Sequence, residues 1–252
     1  MKGEVMKENN SFILGIKHGI PICLGYLSVS FAFGIFAVGS GLSVIEALLI
    51  SMFNLTSAGQ LAAVPIITGG GGIPELALAQ LIINLRYSLM SVTLSQKLGK
   101  TVSALDRFWI GFGITDEIFA VSTSKNKSVG RKYMFGLILT PYAGWSLGTL
   151  LGSVAGNILP DSVSSALGIA IYGMFIAIVL PTVKKHLPTA LCIVGAIAIG
   201  CAFKYIPMLS RVPDGFVIII AAVVASIVAA LLSPVSDEES EQTDEKEVNT
   251  DA

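Results

Sequence analysis

The chain has 252 residues, 53% of them hydrophobic and only 13% charged, where a soluble domain carries about 25% charged residues. Its formal net charge of −1 hides a division: residues 237–252 hold eight acids and one base, while the rest of the chain carries 15 Lys/Arg against 9 Asp/Glu. These figures exclude an ordinary soluble globule and describe a basic, lipid-embedded body with an acidic tail, which suits a bilayer with anionic headgroups.

Residues 1–11 form a polar N-terminal segment. A hydrocarbon core about 30 Å thick needs about 20 apolar residues per helix, and runs of that kind predict spans near 19–39, 44–67, 73–95, 133–153, 163–183, 188–205 and 214–232. The first run lacks a small-residue cleavage site at its end, so it is expected to remain as the first transmembrane helix. The expected class is all-α: a polytopic transmembrane helical bundle over residues 12–233, followed by an acidic, disordered tail over 234–252 that is too charged to pack.

Two segments are not ordinary spans. In 44–67 the apolar run is broken by Asn54-Leu55-Thr56-Ser57-Ala58-Gly59-Gln60. The segment 108–122 is apolar but short, and it contains Asp116 and Glu117. Unwound backbone at membrane depth is tolerated only in protein or along a cavity, and transporters use broken helices to bind substrates and ions. Loop charge bears on the topology. The loops at 40–43, 68–72 and 154–160 have no Lys or Arg, whereas 96–107, 123–132 and 184–187 are basic. If both broken segments re-enter, all basic loops and the tail fall on the cytoplasmic side, as the positive-inside rule asks. The expectation is six full spans and two broken or re-entrant elements; otherwise the count is seven or eight. A weak internal echo, with Pro21, Met52-Phe53, Pro65 and Pro74 answered by Pro141, Met174-Phe175, Pro181 and Pro188, fits an ancestral repeat, with coincidence as the alternative.

Arg86 sits mid-run, beside Asn84 and Tyr87. An Arg at a helix centre costs about 2.5–3.5 kcal/mol on insertion scales, so it is expected to be paired and to face the protein interior, the alternative being to snorkel to the interface. Asp116 and Glu117 are its natural partners, and one of them could carry a proton. The alternative is that they cap a helix at the headgroup boundary. The stretch Asn54, Thr56, Ser57, Ala58, Gly59, Gln60 offers amides, hydroxyls and backbone groups suited to a zwitterion, since helix N-termini attract a carboxylate; a kink with internal hydrogen bonds is the plainer reading. Gly144, Gly148, Gly152 and Gly156 recur every four residues, the small-residue pattern of close helix packing, within the protomer or in a homo-oligomer. Glu46 and Glu75, near span starts, complement the helix dipole. Cys23, Cys192 and Cys201 lie in apolar runs and read as packing. Gly69 to Gly72 make a turn rather than a phosphate loop. His18 and His186 flank spans beside Lys17 and Lys185, so no metal site, no cofactor and no nucleic-acid partner are expected.

Gly15-Ile16-Lys17 through Pro21, Phe31-Ala32-Phe33-Gly34, Glu46-Ala47-Leu48, Ser57-Ala58-Gly59-Gln60-Leu61-Ala62-Ala63, Asn84-Leu85-Arg86-Tyr87 and Thr115-Asp116-Glu117 appear in an order that resembles the AzlC family of branched-chain amino acid permeases. The resemblance covers about residues 12–235. It implies an inner-membrane exporter of valine, leucine, isoleucine and sometimes methionine, working with a small AzlD-type membrane subunit. Two departures stand out. The family commonly reads Gly-Ala-Ser-Gln where this chain has Thr56-Ser57-Ala58-Gly59-Gln60, which changes pocket polarity. The Arg is often followed by His there, and Tyr87 here argues against a His-based proton relay.

The leading expectation is therefore a proton-driven secondary exporter of branched-chain amino acids and not an enzyme. The 54–60 stretch, Asn84, Arg86 and Tyr87 would hold the substrate, and Asp116 or Glu117 would couple the proton. A passive channel for small solutes, a non-transporting scaffold subunit and an intramembrane enzyme using the two acids are the rival readings.

Overall fold

The structure is a computed structural model that describes residues 10–125, 127–160 and 187–232, together with positions 173, 176, 180 and 183. The expected span 163–183, His186, the tail, and the Met174-Phe175 and Pro181 parts of the echo lie outside the described residues. The chain divides into two units, residues 1–175 and 176–252, which are taken separately.

The first unit contains α1 (Phe12–Gly39), α2 (Val44–Phe53), α3 (Ser57–Thr68), α4 (Ile73–Lys97), α5 (Ala104–Phe112), α6 (Asp116–Thr123) and α7 (Arg131–Ile158). The second contains α8 (Leu187–Tyr205) and α9 (Asp214–Leu232), a helical pair in which Gly195 faces Ala225. Five of these helices, α1, α4, α7, α8 and α9, are long and apolar enough to cross a membrane. Among the described residues there is no strand, only one isolated bridge between Leu98 and Val129. The chain is a polytopic helical membrane protein.

α1 and α7 are the backbone of the first unit, and they run parallel. Gly136 faces Phe12 and Ile16, Gly144 faces Cys23, Gly148 faces Leu27, Gly152 faces Phe31 and Gly156 faces Ile35. Numbers rise together along both helices, and Gly15, Gly19 and Gly34 of α1 answer from the other side. The glycine ladder thus lies within the protomer, with backbone against backbone. α1 begins seven residues before the expected start because Ser11 accepts a hydrogen bond from the Leu14 amide and caps it. Pro21 and Pro141 lie inside these two helices, where neighbouring helices compensate for the lost backbone bond.

A side chain in the ladder has nowhere to go. A Cβ on Gly148 would meet the Leu27 carbonyl and the Ser30 hydroxyl, whereas one on Gly25, also helical, would meet nothing within 4 Å. Overpacking costs about 1–3 kcal/mol, and a free helical Gly→Ala gains about 1 kcal/mol in propensity. Gly148→Ala is expected to lower the thermal unfolding midpoint in detergent and Gly25→Ala to leave it unchanged or raise it. Equal midpoints for the two variants would contradict this packing.

α2 and α3 make a hairpin at one end of the unit. Ala47 of α2 and Val64 of α3 share one apolar cluster with Phe33, Ala37 and Leu42, so α3 returns to the end from which α2 came. α4 then runs back along the unit, because its late residue Leu94 packs with Tyr133, Met134 and Leu137 at the start of α7. α5 and α6 form a second hairpin at that opposite end: Val102, Ile110, Ile118 and Val129 belong to the same cluster. Its two ends are tied by the Gly99 amide donating to Val129 O at 2.9 Å and the Val129 amide donating to Lys97 O at 3.1 Å. At about 1.5 Å per residue, arms of 8–12 residues reach about 12–18 Å, half a hydrocarbon core. Both broken segments therefore enter and turn back.

The hairpins share one local design. Ser43 and Glu46 form a capping box at the start of α2, and Ser103 and Asp106 form one at the start of α5. In each box the serine hydroxyl takes the third amide and the acid returns to the cap amide. The Ser103 bonds hold the Asp106 carboxyl below its ordinary pKa, with Arg131 adding to the effect through an ion pair of 2.9 Å. Each arm ends in a three-residue break, Asn54-Leu55-Thr56 or Gly113-Ile114-Thr115, whose threonine caps the second arm. The unwound stretch is thus shorter than the expected Asn54–Gln60. Ser57, Ala58, Gly59 and Gln60 are the first turn of α3, because Thr56 accepts from the Gly59 amide on its side chain and from the Gln60 amide on its carbonyl.

Candidate functional site

Each hairpin tip places the C-terminus of one short helix beside the N-terminus of another, inside the bundle. Helix N-termini carry unpaired amides and partial positive charge, and C-termini the reverse. Both tips lie against the middle of α4. Arg86, the fourteenth of its 25 residues, donates from Nη1 to Asp116 at 2.9 Å and forms an ion pair of 2.8 Å with the same carboxylate. Its Nη2 donates to the Tyr87 hydroxyl at 3.1 Å, and its guanidinium lies 4.8 Å from the Tyr87 ring centre. Tyr87, Arg86 and Asp116 therefore tie α4 to the N-terminus of α6, while Gln80 ties α4 to the first turn of α3. Arg86 and Asp116 are 47% and 42% exposed, so the pair is reachable rather than sealed.

Glu117 does not join Arg86. It turns to α1, where the Tyr26 hydroxyl donates to it and also lies 2.6 Å from the Thr115 hydroxyl. The edge of Tyr26 packs against Trp145 of α7 at 4.8 Å between ring centres. The two consecutive acids have different partners because successive residues of a helix point about 100° apart, one toward α4 and the other toward α1.

A second polar layer lies at the α2–α3 tip. Gln60 is completely buried; its side-chain nitrogen donates to Ser51 Oγ at 3.0 Å and to Asn54 O at 2.8 Å. Ser51 Oγ is 2.6 Å from Thr149 of α7. Asn54 donates to Gln80 Oε1 at 2.9 Å, Asn84 donates to the same oxygen at 3.2 Å, and Gln80 Nε2 donates to Gly59 O at 2.9 Å. Gly59 allows this approach, since a Cβ there would stand 2.5 Å from Gln80 Oε1. Ser57 and Ala58 bring no side-chain bond; what they offer is the two first-turn amides of α3 that no intrahelical carbonyl can reach.

Asn54, Thr56, Ser57, Ala58, Gly59, Gln60, Asn84, Arg86, Tyr87, Asp116 and Glu117 thus gather around the two tips, while Gly144, Gly148, Gly152 and Gly156 stand apart on the α1 seam. Tyr26, Ser51, Gln80 and Thr149 complete the site and were not anticipated. Gln80 carried a readable signal: an amide inside an apolar run, four residues before Asn84 and so on its face. Tyr26 carried none, because a tyrosine in a span is ordinary.

The AzlC protein family model matches residues 21–159. The chain belongs to the AzlC family. The matched region runs from Pro21 of α1 to the end of α7 and contains both hairpin tips. An uncharacterized membrane protein of Archaeoglobus fulgidus is 32% identical over 223 residues, covering 87% of this chain and 94% of the relative. Inner membrane protein YgaZ of Escherichia coli is 30% identical over 211 residues, 79% and 84% of the two chains. Branched-chain amino acid transport protein AzlC of Bacillus subtilis is 23% identical over 171 residues, 64% and 66% of the two chains. No solved structure matches. This AzlC-family chain is a membrane transport protein.

Proposed function

We propose that this AzlC-family protein exports branched-chain amino acids (valine, leucine, isoleucine and sometimes methionine) across a bacterial-type inner membrane, driven by the proton gradient, together with a small AzlD-type subunit. The observation that carries this reading is the meeting of two half-helix N-termini on α4, that of α6 through the Arg86–Asp116 pair and that of α3 through Gln80. The substrate carboxylate would bind at Arg86 and the Ser57 and Ala58 amides, with Asn54, Thr56, Gly59, Gln60, Asn84 and Tyr87 around it. The name of the Bacillus subtilis relative supports the substrate class, and that of the Escherichia coli relative supports the membrane.

The end at which α1 and α7 begin is taken as cytoplasmic. Lys97, Lys100, Lys125, Arg131 and Lys132 lie in or beside the connections gathered there, whereas the opposite turns, 40–43 and 69–72, carry no base. The positive-inside rule favours that orientation. The α5–α6 hairpin then opens to the cytoplasm and the α2–α3 hairpin to the outside, so a gate faces each compartment and the site lies between them.

The test is efflux of labelled leucine and valine from cells expressing this chain, alone and with an AzlD-type partner. Accelerated efflux that collapses with an uncoupler is expected. No acceleration in either case, with the protein confirmed in the membrane, would remove branched-chain export.

A further inference from the structure

The amide layer at the α2–α3 tip has a hydrogen-bond count that does not close. A backbone carbonyl only accepts, so the side-chain nitrogen of Gln60 must face Asn54 O and that of Gln80 must face Gly59 O. Neither amide can be turned over without losing its bond. Gln80 Oε1 is thereby fixed as the acceptor for both Asn54 Nδ2 and Asn84 Nδ2, and this fixes Asn84 in turn. Two acceptors are left over: Gln60 Oε1 and Asn84 Oδ1 are both buried and have no donor. Gln60 is wholly buried. A buried polar atom without a partner costs about 1–3 kcal/mol, and two in one network, each held by a well-made bond elsewhere, call for a ligand that donates.

The surroundings define that ligand. Gln60 lies under the C-terminal end of α2, bonded to Ser51 and Asn54, where the last carbonyls of a short helix present negative potential. The layer therefore consists of neutral oxygen acceptors plus a helix C-terminus. It contains no carboxylate and no histidine, and among the described residues no group of three His, Cys, Asp or Glu side chains could hold a metal ion. Such a layer suits a compact cation that donates several hydrogen bonds.

The geometry points to Gln60 Oε1 and Asn84 Oδ1 as the acceptors for a primary ammonium group, the amine end of the transported amino acid. This rests on the amino-acid reading above and deepens it. The carboxylate goes to the α3 N-terminus, and the ammonium goes to the two amide oxygens and the α2 C-terminus. The break Asn54-Leu55-Thr56 is what allows both ends of one hairpin tip to serve a single zwitterion. Specificity for α-amino acids over the corresponding 2-hydroxy acids follows, because a hydroxyl carries one donor and no charge.

Binding to the purified full chain in detergent tests this with three probes: L-leucine, its 2-hydroxy analogue and 3-methylbutylamine, a primary amine without a carboxylate. The wild type is expected to bind leucine at least tenfold more tightly than the hydroxy acid. Asn84→Ala should remove most of that preference by weakening leucine and the amine at least tenfold, with the hydroxy acid little changed. Asn84→Asp keeps an acceptor oxygen and should retain amine binding. Gln60→Leu should behave as Asn84→Ala; where that buried change fails to fold, the two Asn84 variants decide. If leucine does not bind but the amine does, and Asn84→Ala abolishes it, the ammonium site stands and the branched-chain reading falls. If leucine binds equally well to wild type and Asn84→Ala, the ammonium site falls and that reading stands. A response to sodium but to no amine, or to none of the probes, would leave a metal cation or water as the occupant and overturn the site.

Discussion

Arg86→Ala is expected to abolish substrate transport while leaving the protein in the membrane. The change removes a cation from the middle of α4, which eases insertion by about 2.5–3.5 kcal/mol, so abundance should not fall for that reason. It frees Asp116, but that carboxylate is 42% exposed and is the first residue of α6 after the Thr115 cap, where the helix dipole favours an anion. The fold therefore tolerates the loss. The proposed site does not, since Arg86 bonds both Asp116 and Tyr87 and so holds the α5–α6 tip against α4. Losing one charge-assisted bond to a substrate carboxylate costs about 1.5–3 kcal/mol, roughly 10- to 100-fold in affinity. Arg86→Lys keeps the charge but loses the fork that reaches two partners at once, and should fall between wild type and alanine. Efflux of labelled leucine, normalised to the amount of protein in the membrane, measures all three. The exchanged pair Arg86→Asp with Asp116→Arg separates the roles: recovered transport would make Arg86 a structural partner only.

Much of this site was legible in the sequence, and what was not has identifiable causes. The long spans announced themselves by length. The polar run 54–60 announced a break, but its extent could not be read from polarity, because Ser57, Ala58 and Gln60 are as acceptable in a helical first turn as in a loop, and Thr56 decides between them. The spacings Ser43-x-x-Glu46 and Ser103-x-x-Asp106 carry the start of both hairpins, but neither was read as a capping box. In the first, only Glu46 stood out, as a partner of the helix dipole, although its bonds to the Ser43 amide and hydroxyl do the capping. The glycine ladder predicted close packing without naming the partner. That partner is α1, whose Gly15, Gly19 and Gly34 accept α7, and tertiary placement alone determines this. The assignment of Asp116 to Arg86 and Glu117 to Tyr26 was unreadable for the same reason: adjacent acids on a helix face different neighbours, and the sequence does not state where α1 and α4 stand.

That division of the two acids leads to the second large effect. Asp116 is neutralised by Arg86, and taking up a proton would break that ion pair. Glu117 meets only neutral groups, the Tyr26 phenol beside the Thr115 hydroxyl, with Tyr87, Arg86 and Asp116 beyond on α4 and α6. Tyr26 can serve either protonation state. With Glu117 ionised, the phenol donates to it. With Glu117 protonated, its hydroxyl can donate to the phenol oxygen while the phenol turns to Thr115, whose oxygen has spare acceptor capacity. A proton can therefore arrive and leave by exchanging hydrogen bonds alone. On the proposed reading, Glu117→Gln is expected to abolish leucine movement driven by a pH gradient in proteoliposomes, while exchange of leucine for leucine without a gradient survives. Tyr26→Phe should slow gradient-driven movement without abolishing it, because the phenol is the relay and not the carrier. Asp116→Asn should damage both modes together, since it releases Arg86. Gradient-driven transport that survives intact in Glu117→Gln would remove this residue from coupling and return the role to Asp116.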